Sequence, residues 1–532
     1  MDAYGCRSNS ETARMDAGSV VKFATFSRAL TLLLQAVFNS LIPDHVPDAF
    51  SPPHVAEPKC WDSLVEVIFG GLSRWDAEHF LFIAERGYIY EHNFAFFPLL
   101  PLSLRAVAAT VFWPLGGLLN FRSRLLLSAV LINSLLFVLN AVTLYSLGRL
   151  VLGDCRLAYY SSLLYCITPA NVFMTAAYSE SLFAFFAFGA MWLLEKGQVL
   201  TSCFVFALAT ATRSNGIVNV GFLFYIQLQR CILQARVVGR TGVKLTTFLS
   251  YARISFQFVF SVAVGTTVVL LPFGLFQYYG YLTFCKPTMK PELLSNALLE
   301  LSQKKGYRVP DMTRDLPSWC FQQYPLLYSY IQDVYWNVGF LRYFKLRQVP
   351  NFLLALPVTV LGSAAAWQYC TANPWFCLQL GLVDGKQKDQ RGENPDFKGS
   401  DKPDSGFYSP KVFVYLVHAS VLLAFGVFCM HVQVLTRFLA SSSPVLYWFS
   451  AHLLQKHEPL YSAEKATSST QSCTHRAACK TGSEWRILPQ NPLSELLWNW
   501  AHCCAVTKCL LGWYLSYWVL GLLLHCNCLP WT

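Results

Sequence analysis

The densest group of ionisable residues beside apolar sequence lies at Arg74–Phe80, which reads RWDAEHF. On a helix, Asp76 and His79 are three residues apart and share a face, whereas Glu78 lies at a different angle. A carboxylate near apolar surface is poorly solvated, which increases its basicity and suits it to general base catalysis. The spacing therefore predicts that Asp76 faces inward and that Glu78 faces a second groove. The alternative is an amphipathic helix at a membrane surface whose charges are solvated.

Other polar residues interrupt long apolar runs. Tyr178 and Glu180 separate two such runs, Arg213 and Asn215 interrupt another, and Arg437 lies within a fourth. Ionisable groups at membrane depth are costly and usually line cavities. Arginine suits phosphate because its guanidinium donates two parallel hydrogen bonds. Arg213 and Arg437 are therefore candidate phosphate contacts, and the alternative for each is a loop-edge residue at the membrane interface.

The composition predicts the elements that must position these residues. Of the 532 residues, 54% are hydrophobic and 13% are charged, whereas a soluble globular chain has about 25% charged residues. This excludes a disordered chain and a simple soluble enzyme. The first apolar run, about Phe23 to Ile42, is too long and too far from the terminus for a cleavable signal, so we interpret it as a signal-anchor. With the later apolar runs it predicts an all-α polytopic membrane protein with roughly ten transmembrane helices. The run Thr201–Leu228 is compatible with one helix or two.

The charges indicate an orientation. The net charge of +11 is typical of a membrane protein with basic cytosolic loops. The sequence contains no soluble basic domain that would suggest nucleic-acid binding. Arg230–Arg253 contains five basic residues and no acidic residue, so the positive-inside rule predicts that this loop is cytosolic. The loops at about 44–95 and 280–350 then lie on the opposite side of the membrane. These two loops contain most of the candidate chemistry.

The chain divides into four predicted regions. They are a cytosolic tail at 1–22, a transmembrane catalytic domain at 23–455, a flexible linker at 456–490 and a hydrophobic C-terminal segment at 491–532. A second flexible linker, at 384–410, interrupts the large domain, because its low hydrophobicity leaves too little apolar surface to bury. No CxxC pair indicates a zinc site. In an oxidising lumen, any two of the three residues Cys60, Cys285 and Cys320 are candidates for a disulfide.

Several long strings resemble one family. They are RWDAEHFLFIAERGYIYEHNFAFFPLLPL at Arg74–Leu102, TPANVFMTAAYSES at Thr168–Ser181, ATRSNG at Ala211–Gly216, YIQDVYWNVGFLRYF at Tyr330–Phe344, RQVPNFLLALPV at Arg347–Val358 and HVQVLTRFLASSSPVLYWFSAHLL at His431–Leu454. Together they resemble the PIG-V family of mannosyltransferases that build glycosylphosphatidylinositol (GPI) anchors. The resemblance covers most of residues 20–455 and depends on long unbroken strings.

The resemblance implies a GT-C-like bundle with luminal loop helices in the endoplasmic reticulum membrane. It implies an inverting enzyme that adds the second mannose of the GPI precursor in an α-1,6 linkage on the luminal side. The donor is dolichol-phosphate-mannose and the acceptor is a lipid carrying mannose, glucosamine and an acylated inositol. No metal or other cofactor is expected, because the donor carries a single phosphate. The expected partners are these two lipids and the bilayer, without nucleic acid.

The resemblance also implies roles for the candidate residues. Enzymes of the superfamily place an acidic base in the first luminal loop, which matches Asp76, with Glu78 in reserve. The remaining candidates are expected to bind or orient substrate: His79, His92, Asn93, Tyr178, Glu180, Arg213, Asn215, Trp336, Asn337, Gln348 and Arg437. Among them, Trp336, Asn337 and Gln348 are assigned to the acceptor side.

Three other classes of protein also fit a chain with charged residues among apolar runs. A transporter or lipid scramblase predicts paired broken helices in two halves and no dependence on a luminal carboxylate. A polytopic acyltransferase depends on a buried histidine, for which His418 and His431 are candidates. A structural subunit of a GPI-synthesis complex needs no catalytic carboxylate.

Overall fold

The structure is a computed structural model that describes residues 10–46, 49–53, 57–239, 244–286, 295–310, 316–382, 405–458 and 489–529. In these residues the regular structure is helical throughout. The α-helices are α1 Ser10–Leu41, α2 Asp62–Phe69, α3 Asp76–Arg86, α4 Leu99–Thr110, α5 Phe121–Leu152, α6 Cys155–Cys166, α7 Glu180–Glu195, α8 Val199–Thr212, α9 Val220–Gly239, α10 Lys244–Cys285, α11 Asn296–Lys305, α12 Leu327–Val334, α13 Val349–Ala372, α14 Pro374–Leu378, α15 Val412–Cys429, α16 Leu435–Ser442, α17 Val445–His457, α18 Pro492–Trp498 and α19 Ala505–Cys526. Short 3₁₀ helices include Glu91–Ala95, Ser214–Asn219 and Ser318–Phe321.

Seven helical segments in the described part of the chain are long and apolar enough to cross a membrane. They are Ala17–Leu41, Phe121–Leu152, Ser214–Gly239, Thr247–Cys285, Leu346–Ala372, Val412–Cys429 and Ala505–Cys526. The predicted all-α polytopic class is confirmed. The predicted count of roughly ten spans is not, because several apolar runs form shorter helices such as α4 and α8.

The run Thr201–Leu228 is broken at Arg213. Helix α8 ends at Thr212, and Arg213 has an extended backbone with φ −152° and ψ 145° before the next helical segment begins at Ser214. The run His431–Leu454 is likewise divided between α16 and α17 at Ser443. Breaks of this kind within apolar sequence expose backbone polar groups, so they persist only where protein surrounds them.

A buried irregular segment, residues 167–179, connects α6 to α7, and polar side chains from other helices hold it. Arg28 of α1 donates hydrogen bonds to Thr175 and Asn171. Asn133 of α5 donates to the Tyr178 carbonyl at 3.1 Å. These bonds satisfy polar groups that a continuous helix would pair internally. The segment therefore presents Tyr178 and Glu180 on a fixed backbone.

The C-terminal helix α19 packs against α1 and α17. The Trp518 indole Nε1 donates to the Thr31 hydroxyl at 3.1 Å, and the hydroxyls of Ser450 and Tyr514 are 2.9 Å apart. The described part of the 491–532 segment is thus packed into the same bundle as the predicted catalytic domain. At the other end, helix α1 begins at Ser10, within the tail predicted at 1–22.

The loop after α10 contains a disulfide between Cys285 and Cys320, whereas Cys60 is a free thiol. This is one of the pairings that the sequence allowed. Most of the two predicted linkers lies outside the described residues, as do positions 240–243 of the basic loop.

Candidate active site

Two cavities lie on either side of the first turn of α3. The first, the Asp76 cavity, has a volume of about 190 Å³ and is lined by Asp76, Glu180, Arg213 and Arg437 among others. The second, the Glu78 cavity, has a volume of about 780 Å³ and is lined by Trp75 and Glu78 among others. Positions two residues apart on a helix differ by about 200° in direction. The two carboxylates therefore face different grooves, as their spacing predicts.

Four charged side chains alternate in sign along the wall of the Asp76 cavity. The Asp76 Oδ2 lies 2.8 Å from Arg437 Nη2, and Arg437 Nη1 lies 3.7 Å from Glu180 Oε1. The same Glu180 oxygen lies 2.5 Å from Arg213 Nη1. Glu180 is fully buried, so its charge requires these guanidinium partners. The result is a compact group of two carboxylates and two guanidinium groups.

The two carboxylates of α3 have opposite pKa shifts. Burial acts to raise the pKa of Asp76, but the charge and hydrogen bond of Arg437 outweigh it, so the pKa lies below its ordinary value. Burial raises the pKa of Glu78 despite the Arg122 guanidinium 2.5 Å away. Asp76 is consequently ionised at neutral pH, which is the form that accepts a proton.

The backbone before α3 is strained at Trp75, which has φ +60° and ψ −127°. A side-chain-bearing residue in such a conformation costs about 1–3 kcal/mol and typically occurs at functional sites. The next residue, Asp76, donates its backbone N–H to the Tyr178 hydroxyl at 3.2 Å. This hydrogen bond joins the start of α3 to the buried segment before α7. It therefore fixes the position of the Asp76 backbone, from which the carboxylate extends.

His79, His92 and Asn93, which are predicted to orient sugars or the base, do not line the Asp76 cavity. The His79 ring stacks between Phe50 and Phe96, with centroid distances of 4.3 and 4.4 Å. Burial lowers the pKa of His79 to about 4 and that of His92 to about 2. Asn93 is fully buried. The two histidines are therefore packed among aromatic rings as neutral groups, and the predicted roles of all three residues stay predictions.

Of the three candidates from the later loops, Trp336 lines the Asp76 cavity, whereas Asn337 and Gln348 do not. Trp336 lines the Asp76 cavity, and its carbonyl lies 2.7 Å from the His431 ring, which also lines that cavity. Asn337 occupies a turn with φ +52° and does not line it. The Gln348 side chain accepts a hydrogen bond from Asn351 at 2.7 Å, away from the cavity wall.

Asn215 also lies outside the cavity wall. Its amide donates to the Ser442 hydroxyl at 2.9 Å, which joins the break between α8 and α9 to the end of α16. Arg213 lies at this break and Arg437 lies within α16, so Asn215 helps to hold the two arginine-bearing segments together. Its contact with substrate stays a prediction.

Sequence reasoning missed residues that complete the site. Tyr328 lines the cavity and shares a 2.7 Å hydrogen bond with Ser214. His525 of α19 lies behind the cavity, with its ring 5.5 Å from that of Tyr178. The aromatic stretch 319–344 was a signal for Tyr328, whereas His525 occurs in an apolar run without a recognisable motif. His418 packs against Phe222 at 4.7 Å and does not line the Asp76 cavity.

Within the described residues, no group of three or more His, Cys, Asp or Glu side chains is arranged to hold a metal ion. The positive charge available at the Asp76 cavity comes from Arg213 and Arg437.

A small charged cavity among apolar helices marks a site for a substrate or an ion in a membrane protein. The family model described as Mannosyltransferase (PIG-V) matches residues 17–532. The chain belongs to this family and is a multi-pass membrane mannosyltransferase. The family match favours an enzyme over the transporter, scramblase, acyltransferase and structural alternatives.

Curated relatives extend over nearly the whole chain. The GPI alpha-1,6-mannosyltransferase 2 of Cricetulus griseus is 53% identical over 513 residues, covering 96% of this chain and 98% of the relative. The Homo sapiens protein of the same name is 51% identical over 514 residues with the same coverage. GPI mannosyltransferase 2 of Drosophila pseudoobscura pseudoobscura is 32% identical, covering 81% of this chain and 90% of the relative.

Among solved structures, the Archaeoglobus fulgidus oligosaccharyltransferase tethered with an acceptor peptide aligns with a TM-score of 0.39 and 12% identity. The alignment covers 94% of this chain and 55% of that one. The apo form of the same enzyme aligns with a TM-score of 0.38 and 13% identity.

Proposed function

We propose that this chain transfers the second mannose of the GPI precursor, in an α-1,6 linkage, from dolichol-phosphate-mannose on the luminal side of the endoplasmic reticulum membrane. The names of the relatives that match 96% of the chain support transfer of mannose in an α-1,6 linkage during GPI synthesis. The observation that carries the chemistry is the pairing of Asp76 with Arg437 in a cavity that also contains Glu180 and Arg213. The acceptor is proposed to be a lipid bearing mannose, glucosamine and acylated inositol.

Two features support the luminal side. Arg213 lies next to the first residue of the span Ser214–Gly239, whereas Arg230 and Arg236 of the predicted basic loop lie in the last ten residues of that span, because α9 continues to Gly239. Helix α10 begins at the basic loop and ends at Cys285, which forms the disulfide with Cys320. Basic loops favour the cytosol and disulfides persist in oxidising compartments such as the endoplasmic reticulum lumen. Both therefore favour a site on the side opposite the cytosol.

In the proposed reaction, the 6-hydroxyl oxygen of the acceptor mannose attacks the anomeric carbon of the donor mannose. The bond between that carbon and the phosphate oxygen breaks, and dolichyl phosphate leaves with the electron pair. Asp76 accepts the hydroxyl proton. The hydroxyl becomes acidic as its oxygen bonds to carbon, so a carboxylate with a lowered pKa is a sufficient base. The direct displacement inverts the configuration at the anomeric carbon.

Arg437 is proposed to stabilise the negative charge that develops on the leaving phosphate. Its two terminal nitrogens contact Asp76 and Glu180 before substrate binds, which keeps the guanidinium aimed into the cavity. Arg213 contributes a second positive group from the break between α8 and α9. Glu180 holds both guanidinium groups in place from the buried side. These two cations supply the charge that a single phosphate requires, so the proposal includes no metal.

A rescue experiment tests the function. Cells that lack GPI mannosyltransferase 2 receive this chain or its Asp76→Asn variant at matched membrane expression, with Asp333→Asn as a control at an exposed ion pair. We expect the parent and the control to restore surface GPI-anchored proteins, and the Asp76 variant to accumulate a one-mannose lipid. Equal rescue by all three proteins would exclude Asp76 as the base. Failure of a correctly inserted parent would contradict the proposed function.

A further inference from the structure

The Glu78 cavity has no role in the reaction described above, yet it is the larger of the two. Its volume of about 780 Å³ lies within the range of about 300–1,000 Å³ that is typical of ligand pockets, whereas the Asp76 cavity lies below that range. The larger cavity has room for several sugar rings. The smaller one suits a single sugar and its phosphate.

The lining of the Glu78 cavity is acidic. It contains four carboxylates and two guanidinium groups, the latter being Arg74 and Arg122. The Asp62 carboxylate accepts hydrogen bonds from the backbone N–H groups of Lys59 and Asn120, at 2.7 and 2.9 Å, and so has a structural role. Asp44 and Glu66 share Arg74, at 2.7 and 3.5 Å, and Glu78 pairs with Arg122. Three carboxylates therefore compete for two guanidinium groups.

One carboxylate oxygen in the lining of the cavity lacks a hydrogen-bond donor among the described residues. The Glu78 Oε2 contacts Arg122, whereas its Oε1 is buried without a hydrogen-bond partner among the described residues. The Glu66 side chain is 59% exposed and contacts Arg74 only at 3.5 Å. A buried carboxylate oxygen without a donor is costly, and a cationic ligand would supply one. The excess of negative charge disfavours a phosphate in the same place.

The linings of the two cavities are adjacent at one peptide bond. Trp75 lines the Glu78 cavity and Asp76 lines the other, and consecutive Cα atoms are about 3.8 Å apart. The larger cavity therefore borders the start of α3, the helix that carries the proposed base. The aromatic rings of Trp75 and Phe50 also line this cavity, and aromatic faces suit sugar rings.

We infer that the Glu78 cavity binds the amino-sugar part of the acceptor, with its ammonium group beside the carboxylates of Glu78 and Glu66. The inference rests on the proposed function, because that function supplies an acceptor with glucosamine next to its terminal mannose. The mannose then extends past Trp75 toward Asp76, and the donor occupies the arginine-containing cavity. Discrimination between a free and an acylated amino group thus occurs away from the reacting carbon.

Binding is measured without donor, so that it does not depend on transfer. The purified full chain in lipid nanodiscs is titrated with a synthetic mannosyl-glucosaminyl-inositol phospholipid, and with the same lipid N-acetylated on the glucosamine. The variants are Glu78→Gln and Glu66→Gln. The matched control is Glu85→Gln, on the same helix α3, which pairs with its neighbour Arg86 and lines neither cavity.

We expect each of the two variants to bind the free-amine lipid about tenfold more weakly, the scale of a lost charged hydrogen bond. Affinity for the N-acetylated lipid should stay unchanged, as should both affinities of the Glu85 control. Equal binding of the two lipids by the parent chain, or unchanged binding in both variants, would overturn the inference. The Glu66 side chain is exposed. The result for Glu66→Gln therefore does not depend on whether the fold tolerates the substitution of the buried Glu78.

The same preparations are then assayed for mannose transfer. The expected binding pattern together with transfer supports both proposals. The expected binding pattern in a parent chain that transfers no mannose would contradict the proposed function and leave the amino-sugar site supported. Transfer by the parent without the binding pattern would contradict only the amino-sugar site.

Discussion

The Asp76 and Glu78 cavities share the first turn of one helix but differ in charge and size. The smaller contains two carboxylates and two guanidinium groups, and its wall is completed by elements that are far apart in sequence, including the break at Arg213 and helix α16. The larger contains four carboxylates and two guanidinium groups, which come from the segment after α1, from α2, from residues at and just before the start of α3 and from the start of α5. Paired charges give the first cavity a base and cations together, whereas the excess of carboxylates gives the second a preference for cations.

The difference shows how two acidic residues two positions apart acquire separate tasks. Asp76 is stabilised as an anion by Arg437, whereas burial outweighs Arg122 at Glu78. Helical geometry separates the side chains, and the arginines of distant segments set their protonation. Substitutions that change one cavity and spare the other test this separation.

The largest effect is expected for Asp76→Asn, which removes the proposed base and half of the pair with Arg437. We expect mannose transfer to fall by about 10³-fold, within the range for loss of a general base. Binding of the free-amine acceptor should change little, because the Glu78 cavity is intact. Transfer assays with membranes and the nanodisc titration measure the two effects. Glu78→Gln is expected to show the converse, with weaker acceptor binding and a smaller loss of transfer. Equal loss of transfer in both variants would contradict the separate roles of the two carboxylates.

Arg437→Lys should reduce transfer by about 10²-fold, comparable to loss of one donor to a developing anion. A lysine retains the charge but loses the guanidinium geometry that contacts Asp76 and Glu180 together. Steady-state kinetics with varied donor measures this effect. Arg342→Lys is a suitable control, since its ion pair with Asp333 is exposed and away from both cavities. Near-normal transfer by Arg437→Lys would indicate that charge alone suffices.

The opposite pKa shifts predict a pH dependence that separates KM from kcat. As pH falls, Glu78 gains a proton first because its pKa is raised above 4.5, and Asp76 stays ionised because its pKa is lowered below 3.8. The acceptor KM should therefore rise by about tenfold at the acid end, the scale of a lost charged hydrogen bond, while kcat changes little. In Glu78→Gln this rise should be absent. Its persistence in the variant would assign the titration to another group.

The smallest effect is expected for Tyr178→Phe, which removes the hydroxyl that accepts the Asp76 N–H. The bond is worth about 1 kcal/mol, or about a fivefold change in transfer. Acceptor binding should be unchanged, and transfer assays at matched expression measure the difference. A loss as large as that of Asp76→Asn would show that Tyr178 contacts substrate directly.

Parts of this arrangement could be predicted from sequence because they depend on local spacing. The divergence of Asp76 and Glu78 follows from helical geometry, and the polar run at Arg213 interrupts the apolar sequence at the position where the structure has a helix break. The burial of His79 between Phe50 and Phe96 could not be predicted, because Phe50 reaches it from an irregular segment before α2. The same holds for His525, which reaches the site only through packing of the last helix.

The contact of α19 with α1 has a consequence for the order of synthesis. Trp518 bonds to Thr31 across 487 positions of sequence, and His525 stands behind Tyr178. The first span is therefore in the membrane long before the helix that packs against it has been translated. A stop codon that removed α19 would leave all four charged groups of the Asp76 cavity in the chain, yet remove the ring that packs against Tyr178 behind that cavity.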